Sequence, residues 1–266
     1  MDPGWILKLL QRLDFPRKLG ICDRLFGRAL SDYGVCWIGT AAGIPWKLDL
    51  ASPTHRWIVY GKYEGGSFLD WAQRFLPQDG VVVDSGANIG QMLLYLAQWV
   101  PNGKVYAFEP GTDAADWLEE CLGVNRELPV EVIRCALGSQ DREMSLVGDG
   151  LAGFHGACNQ IRAIGEGTRV QVRRLGDILR ERGCDRVDLW MLDVEGFELE
   201  ALAGAEELLV RKRIRAINSE LAFGHGEQIR SYLEGFGYEC HFFNVSGHLY
   251  VPGELPEHTN GLFLPR

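Results

Sequence analysis

Apolar and polar residues switch between two periods along most of this chain. Val81, Val82 and Val83 run into Asp84, a glycine turn follows, and residues 89–100 then repeat apolar positions at helical spacing. A continuous β-branched run that feeds a helical period predicts a buried parallel strand and its crossover helix. The alternation continues with a strand over 104–109, a helix over 113–124 and a strand over 130–135. It resumes with a helix over 175–182, a strand over 187–193, a helix over 197–210, a strand over 214–221 and a helix over 227–236. Residues 238–243 and 262–264 finish the sheet. Residues 143–147 and 169–174 also read as strands, the first outside the main order, and 149–167 reads as a loop because it has glycines and no clean period. Strands alternating with helices give an α/β, doubly wound fold.

The first 79 residues have a different pattern. Residues 6–13 and 19–30 predict short amphipathic helices, and 35–38, 45–50 and 56–60 predict short strands between Ala-Gly and Ser-Pro turn signals. Residues 61–66 are a glycine-rich stretch that fits a lid or a plain loop, and 68–76 is helical by period. Residues 1–79 are therefore expected to be an extension that packs on a core domain spanning 80–266. Lys8, Arg12, Arg17, Lys18, Arg24 and Arg28 make its start locally basic. A helix capping the core accounts for this, as would an arm that docks on a membrane surface or a partner. Exposed aromatics between Trp5 and Trp57 fit either core packing or a homodimer contact.

Composition narrows the class. Charged residues make up 24% of the chain and hydrophobic residues 46%, as in soluble globular domains. A net charge of −9 gives no positive field to recruit nucleic acid. The seven cysteines are scattered, odd in number and without a CxxC pair, which argues against structural zinc and a disulfide framework and suits a cytoplasmic protein. The first 13 residues lack a signal peptide's apolar centre, and no stretch is long enough to span a bilayer.

The first turn reads Asp84-x-Gly86-x-Asn88-x-Gly90, which is not GxGxxG. A carboxylate at this strand end repels a pyrophosphate and suits a ligand with a cationic amino group. Gly86 and Gly90 allow close backbone approach, and Asn88 is placed to cap a helix beginning at Ile89. Glu109, at the end of the second strand in AFEP, is placed to accept hydrogen bonds from both ribose hydroxyls. An amino group at strand one and a phosphate-free ribose at strand two describe S-adenosylmethionine. A third marker is LDVEGFELEALAGA, in which Asp193 and Glu195 reach the same crevice and could hold a hydroxyl, accept its proton or bind a divalent ion. The other reading of Glu195 is a cap on the next helix.

Gly61-x-Tyr63-Glu64, VVVDSGANIGQ, AFEP, Ala136-Leu137-Gly138 and the DVEGxE stretch together resemble the FkbM family of S-adenosylmethionine-dependent methyltransferases, from about Tyr60 onward. The resemblance implies the class I methyltransferase fold: a mostly parallel seven-stranded sheet whose last strand is antiparallel. It implies that Asp84, Gly86, Asn88 and Gly90 hold the methionine part of the cofactor, Glu109 its ribose, and Cys135 and Ala136 the adenine rim. Glu64 and Pro110, within the GxYE and AFEP motifs, join that cofactor-binding set. It also implies methyl transfer to a hydroxyl of a small molecule or a sugar, in natural-product or glycan modification. Asp193 and Glu195 are the first candidates for the base, then His155, Glu220 and His225. No metal-binding signature is present, so none is expected. The chain departs from the family pattern at Ser85, at the polar run Asn218-Ser219-Glu220 and in the loop that carries His155. Two other classes remain open: an NAD-dependent oxidoreductase, opposed by the missing GxGxxG, and a non-catalytic S-adenosylmethionine-binding module.

Overall fold

The computed structural model describes residues 11, 13, 15, 17–40, 42–63, 66–148, 159–221, 224–244, 246–255 and 260–266. Most of the expected helix 6–13, all of 149–158 with His155, and Glu64 lie outside the described residues. In chain order the elements are α1 (Lys18–Ser31), β1 (Val35–Gly39), β2 (Pro45–Asp49), α2 (Pro53–Val59) and α3 (Ser67–Phe75). The core follows with β3 (Val81–Ser85), α4 (Leu93–Trp99), β4 (Lys104–Phe108), α5 (Thr112–Val124) and β5 (Val130–Ile133). Next come β6 (Ala136–Leu137), β7 (Arg142–Val147), β8 (Gln160–Arg162), β9 (Thr168–Arg173) and α6 (Leu175–Glu181). Last are β10 (Leu189–Leu192), α7 (Glu198–Ala203), α8 (Glu206–Val210), β11 (Ile217–Glu220), α9 (Gly226–Gly235), β12 (Tyr238–Phe243), β13 (Leu249–Tyr250) and β14 (Asn260–Pro265).

The main sheet runs β13-β12-β14-β11-β10-β3-β4-β5. Strands β5, β4, β3, β10 and β11 are mutually parallel, and β14 enters antiparallel between β11 and β12. This is the expected doubly wound sheet with its antiparallel last strand, plus an eighth, two-residue strand at one edge. Burial alternates along the central strands. Val82, Val105, Ala107 and Met191 face a core shared with the N-terminal elements, while Val83, Tyr106, Trp190 and Leu192 face the layer of α6 to α9. Because the side-chain period is two, each central strand serves both cores and reads as a continuous apolar run.

The N-terminal elements pack on the first of these cores through Ile44, Trp46, Leu48, Ile58 and Tyr60. The Trp46 indole N–H donates to the Ile89 carbonyl at 3.1 Å, which ties the β1–β2 pair to the turn after β3. Strands β6 to β9 form a separate four-stranded sheet, which contains β7, the one strand expected outside the main order.

Five expectations change. Residues 56–60 are not a strand but belong to α2 and its end. Pro53 sits at the first helical position, and this helix is buried nearly all round, which erases the amphipathic stripe. The helix expected from Ile89 begins only at Leu93. The amides of Gly86 and Ala87 both donate to the Phe108 carbonyl, at 2.9 and 3.1 Å, so they turn toward β4 instead of into a helix. Asn88 has φ 47° and caps nothing, which corrects its assignment as an N-cap. The helix expected over 197–210 is two helices, α7 and α8. The Gly204 carbonyl accepts the Gly176 amide at 3.2 Å, and a Cβ on Gly204 would lie 2.1 Å from the Gly138 oxygen. The expected loop over 149–167 contains strand β8, which pairs with β7.

Candidate functional site

Four strand ends open on one side of the main sheet. β3 ends in Asp84 and Ser85, β4 leads into Glu109, β10 leads into Asp193, and β11 ends in Glu220. Ligand crevices in doubly wound sheets lie outside these carboxyl ends. Here they enclose a cleft of about 470 Å³. The structure brings Asp84, Gly86, Asn88, Glu109, Pro110, Cys135, Ala136, Asp193 and Glu195 together in its lining. Gly90 is not among the lining residues. It stands behind the turn with φ 88°, where a Cβ would lie 2.9 Å from Leu118 Cδ1.

The floor of the cleft depends on glycine at position 86. With φ 81°, a Cβ there would lie 1.9 Å from the Asp193 carbonyl oxygen. The β3 turn and the β10 turn therefore touch backbone to backbone, and the Asp193 amide donates to the Ser85 carbonyl at 3.2 Å. Ser85 itself accepts the Trp190 indole N–H at 2.8 Å. That bond explains a hydroxyl where the family pattern has an apolar side chain, because a buried indole N–H needs an acceptor.

Glu109 is fixed by its own backbone. Its Oε2 accepts the Asn88 amide at 2.9 Å and its Oε1 the Gly111 amide at 2.7 Å. Burial still pushes its carboxyl above the usual range, against the pull of these two amides. Asn88 Oδ1 is buried and has no hydrogen-bond partner. Asp84 is buried, and that burial, followed by the charges of Asp193 and Glu109, pushes its carboxyl up to about 8.

The far side of the cleft holds Asp193, Glu195 and Glu220. Asp193 has an edge open to the cleft, but the protein packed around it desolvates its carboxylate, and that is the first cause that raises its carboxyl. The charge of Glu198 adds to this, while a hydrogen bond with Glu220 and the ammonium of Lys62 oppose it. Glu195 sits at φ 54° in the turn after β10, three residues before α7 begins at Glu198. Glu198 closes that turn, its Oε1 accepting the amides of Val194 and Gly196, both at 3.1 Å. His225 lies outside the cleft, in an adjoining pocket that also contains Glu195 and Arg162.

Sequence reasoning passed over Lys62 and Glu198. Lys62 lines the cleft, with its ammonium 4.4 Å from the Trp57 ring centroid and 5.2 Å from that of Tyr63. Burial lowers its pKa and the Asp193 charge opposes that. Its setting between Gly61 and Tyr63, with two more glycines at 65 and 66, was the available signal. Glu198 is the last acid of DVEGxE, and its fixed spacing from Asp193 was the clue.

Among the described lining residues, Lys62 is the sole basic side chain against the acids Asp84, Glu109, Asp193, Glu195 and Glu220. Such a cleft favours a ligand that carries positive charge and disfavours a pyrophosphate. The Methyltransferase FkbM domain profile matches residues 84–240, from the first of these acids to the middle of β12. The chain belongs to the FkbM methyltransferase family. It is 32% identical over 197 residues to methyltransferase sdnD of Sordaria araneosa, covering 62% of this chain and 75% of that protein. It is 28% identical over 189 residues to the 31-O-demethyl-FK506 methyltransferase FkbM of Streptomyces tacrolimicus, covering 59% of this chain and 72% of that protein. It is 32% identical over 150 residues to the 2-O-methyltransferase NoeI of Sinorhizobium fredii (strain NBRC 101917 / NGR234), covering 51% of this chain and 61% of that protein. The protein is thus a methyltransferase enzyme, and S-adenosylmethionine is its cofactor.

Proposed function

We propose that this methyltransferase transfers a methyl group from S-adenosylmethionine to a hydroxyl of a small molecule or sugar. The observation that carries the reading is one cleft with Asp84 at one strand end, Glu109 at the next, and the acids Asp193 and Glu220 at the third and fourth. The residues suit the cofactor. Asp84 and the unpartnered Asn88 Oδ1 are acceptors for its ammonium, and the Gly86 backbone leaves room for its methionine part. Glu109, held rigid by two amides, keeps free lone pairs for the ribose hydroxyls. Pro110, Cys135, Ala136 and Leu137 offer an apolar rim for adenine.

When bound, the cofactor supplies an electrophilic methyl group on a sulfonium. The chain's own task is then to align the acceptor oxygen, exclude water and take up a proton. Asp193 and Glu195 stand on the side left free for the acceptor. The oxygen-directed names of the Streptomyces and Sinorhizobium relatives support a hydroxyl as the acceptor. The net charge of −9 argues for a small molecule over a nucleic acid. Cys22, Cys36, Cys121, Cys135, Cys184 and Cys240 are all free thiols, which suits a reducing compartment such as the cytoplasm. Among the described residues no helix is long and apolar enough to cross a membrane.

The test is calorimetric titration with S-adenosylmethionine, S-adenosylhomocysteine and NAD in parallel. Binding of the first two without NAD supports the assignment of the cleft. Binding of NAD alone would overturn it in favour of an oxidoreductase.

A further inference from the structure

Strands β10 and β11 are parallel neighbours in register, with Leu192 opposite Ser219. The next residue on each is an acid, Asp193 and Glu220, and both line the cleft. The two carboxyls lie within hydrogen-bonding reach of each other. Glu220 Oε2 is buried, and no N–H or O–H of the described residues donates to it. Two carboxylates in contact, one of them buried without a donor, repel unless a proton lies between them.

We propose that Asp193 and Glu220 form a carboxyl pair that holds one proton and takes up the acceptor's hydroxyl proton during methyl transfer. This rests on the hydroxyl-acceptor reading above. The surroundings decide where the resting proton sits. Glu220 faces the acids Asp193, Glu195 and Glu198, and among the described residues no cation bears on it. Burial first, then those charges, push its carboxyl up to about 8. Asp193 faces Glu198 and Glu220 but also Lys62, and its charge reaches Asp84 and Tyr63. The proton therefore rests on Glu220 and the negative charge on Asp193, opposite the Lys62 ammonium.

The reaction balances on this pair. As the acceptor oxygen bonds to the methyl carbon, its proton passes to the Asp193 carboxylate. The carbon–sulfur bond breaks with its electron pair left on sulfur. Both acids are then neutral, and the pair returns one proton to water. At rest Asp193 and Lys62 offset each other, so this end of the cleft suits a neutral hydroxyl compound more than a cationic amine.

The test needs no acceptor. S-Adenosylmethionine carries a sulfonium at the reacting centre and S-adenosylhomocysteine a neutral sulfur, while their amino and ribose groups are the same. The ratio of their affinities cancels the titration of Asp84 and Glu109, and the two ligand amines, which differ in pKa because of the sulfonium, are titrated free in solution and corrected for. Loss of the shared proton between pH 6 and 9 adds a negative charge beside the sulfonium. The ratio should then shift toward S-adenosylmethionine by roughly fivefold, the scale of one charge pair several Å apart in a partly wet site. Glu220→Gln should flatten the profile, because glutamine stands for the protonated acid. A flat profile in the wild-type protein, with both ligands bound, overturns the pair and leaves the cofactor site standing. Failure of both ligands to bind at every pH overturns the site as well. A profile that persists in Glu220→Gln assigns the proton elsewhere and overturns the proposal. If that variant does not fold, infrared titration of the wild-type protein with ¹³C-carboxyl glutamate decides. A labelled protonated-carboxyl band that disappears between pH 6 and 9 in the wild-type protein and also in Glu109→Gln supports the pair, and its absence at pH 6 refutes it.

Discussion

Binding of the cofactor product should expel a proton from Asp84. In the ligand-free cleft burial, Asp193 and Glu109 hold this carboxyl at about 8. At pH 7 it is then about nine-tenths protonated, since one pKa unit is a factor of ten. An ammonium placed against it favours the ionised form and displaces that proton. Binding of S-adenosylhomocysteine, which lacks the sulfonium, should release close to one proton per site at pH 7. Its affinity should rise by up to about tenfold per pH unit from pH 6 and level off near pH 8. Calorimetry in two buffers of different ionisation heat measures the release directly. Asp84→Asn should abolish it and weaken binding by about 1.5–3 kcal/mol, the usual contribution of a hydrogen bond to a charged group. Binding by the wild-type protein that is independent of pH and of buffer, with unchanged affinity in Asp84→Asn, would refute the reasoning.

Stability should carry the same signature. Asp84 and Glu220 both stay protonated to about pH 8 in the fold and ionise near pH 4 when unfolded. The folded state binds the extra protons, so this stability is fully present below pH 4 and is lost as pH rises through 8. Denaturant unfolding of the ligand-free protein should give a free energy lower at pH 8.5 than at pH 6 by about 2.5 kcal/mol from Asp84, with the half-wet Glu220 adding less than that, and an equal or higher value would contradict this. Gly86→Ala should cost at least about 2 kcal/mol, because its Cβ meets the Asp193 carbonyl at 1.9 Å and φ is 81°. A melting temperature within a degree of wild type would count against the backbone contact. Arg56 is buried, bonded to Asp23 at 2.6 Å and to the carbonyls of Leu50 and Ala51 at 2.8 and 2.9 Å. Arg56→Ala should cost about 2 kcal/mol by chemical denaturation, below the range for a fully buried pair because Asp23 keeps a third of its side chain in water. Glu198→Ala should loosen the turn at Glu195 and Gly196, read as faster amide exchange at Val194 and Gly196, which lose their acceptor.

The core was legible where one signal acted alone. Val81–Ser85 and Leu189–Leu192 are buried on both faces, so their apolar runs had one reading. Asp84 closes such a strand, Glu109 and Asp193 follow such strands directly, and strand ends place a side chain without knowledge of the loops. The errors came where tertiary contacts overrode local pattern. A helix buried nearly all round, Pro53–Val59, has no stripe to read. The turn at Gly86–Asn88 gives its amides to Phe108 and Glu109, partners about 20 residues away, so a helix that looks local starts four residues late. Lys62 was hidden for a similar reason. Its place in the cleft depends on the N-terminal layer, where Gly61 lies against the Gln11 backbone, and that packing has no period.

The most direct measurement is a crystal structure with S-adenosylhomocysteine bound. The account predicts its amino group within hydrogen-bond distance of the Asp84 carboxylate, its ribose hydroxyls on Glu109, and its sulfur facing Asp193 and Glu220. A nucleoside bound elsewhere, or one whose amino group faces Asp193 and whose adenine covers Asp84, would contradict it.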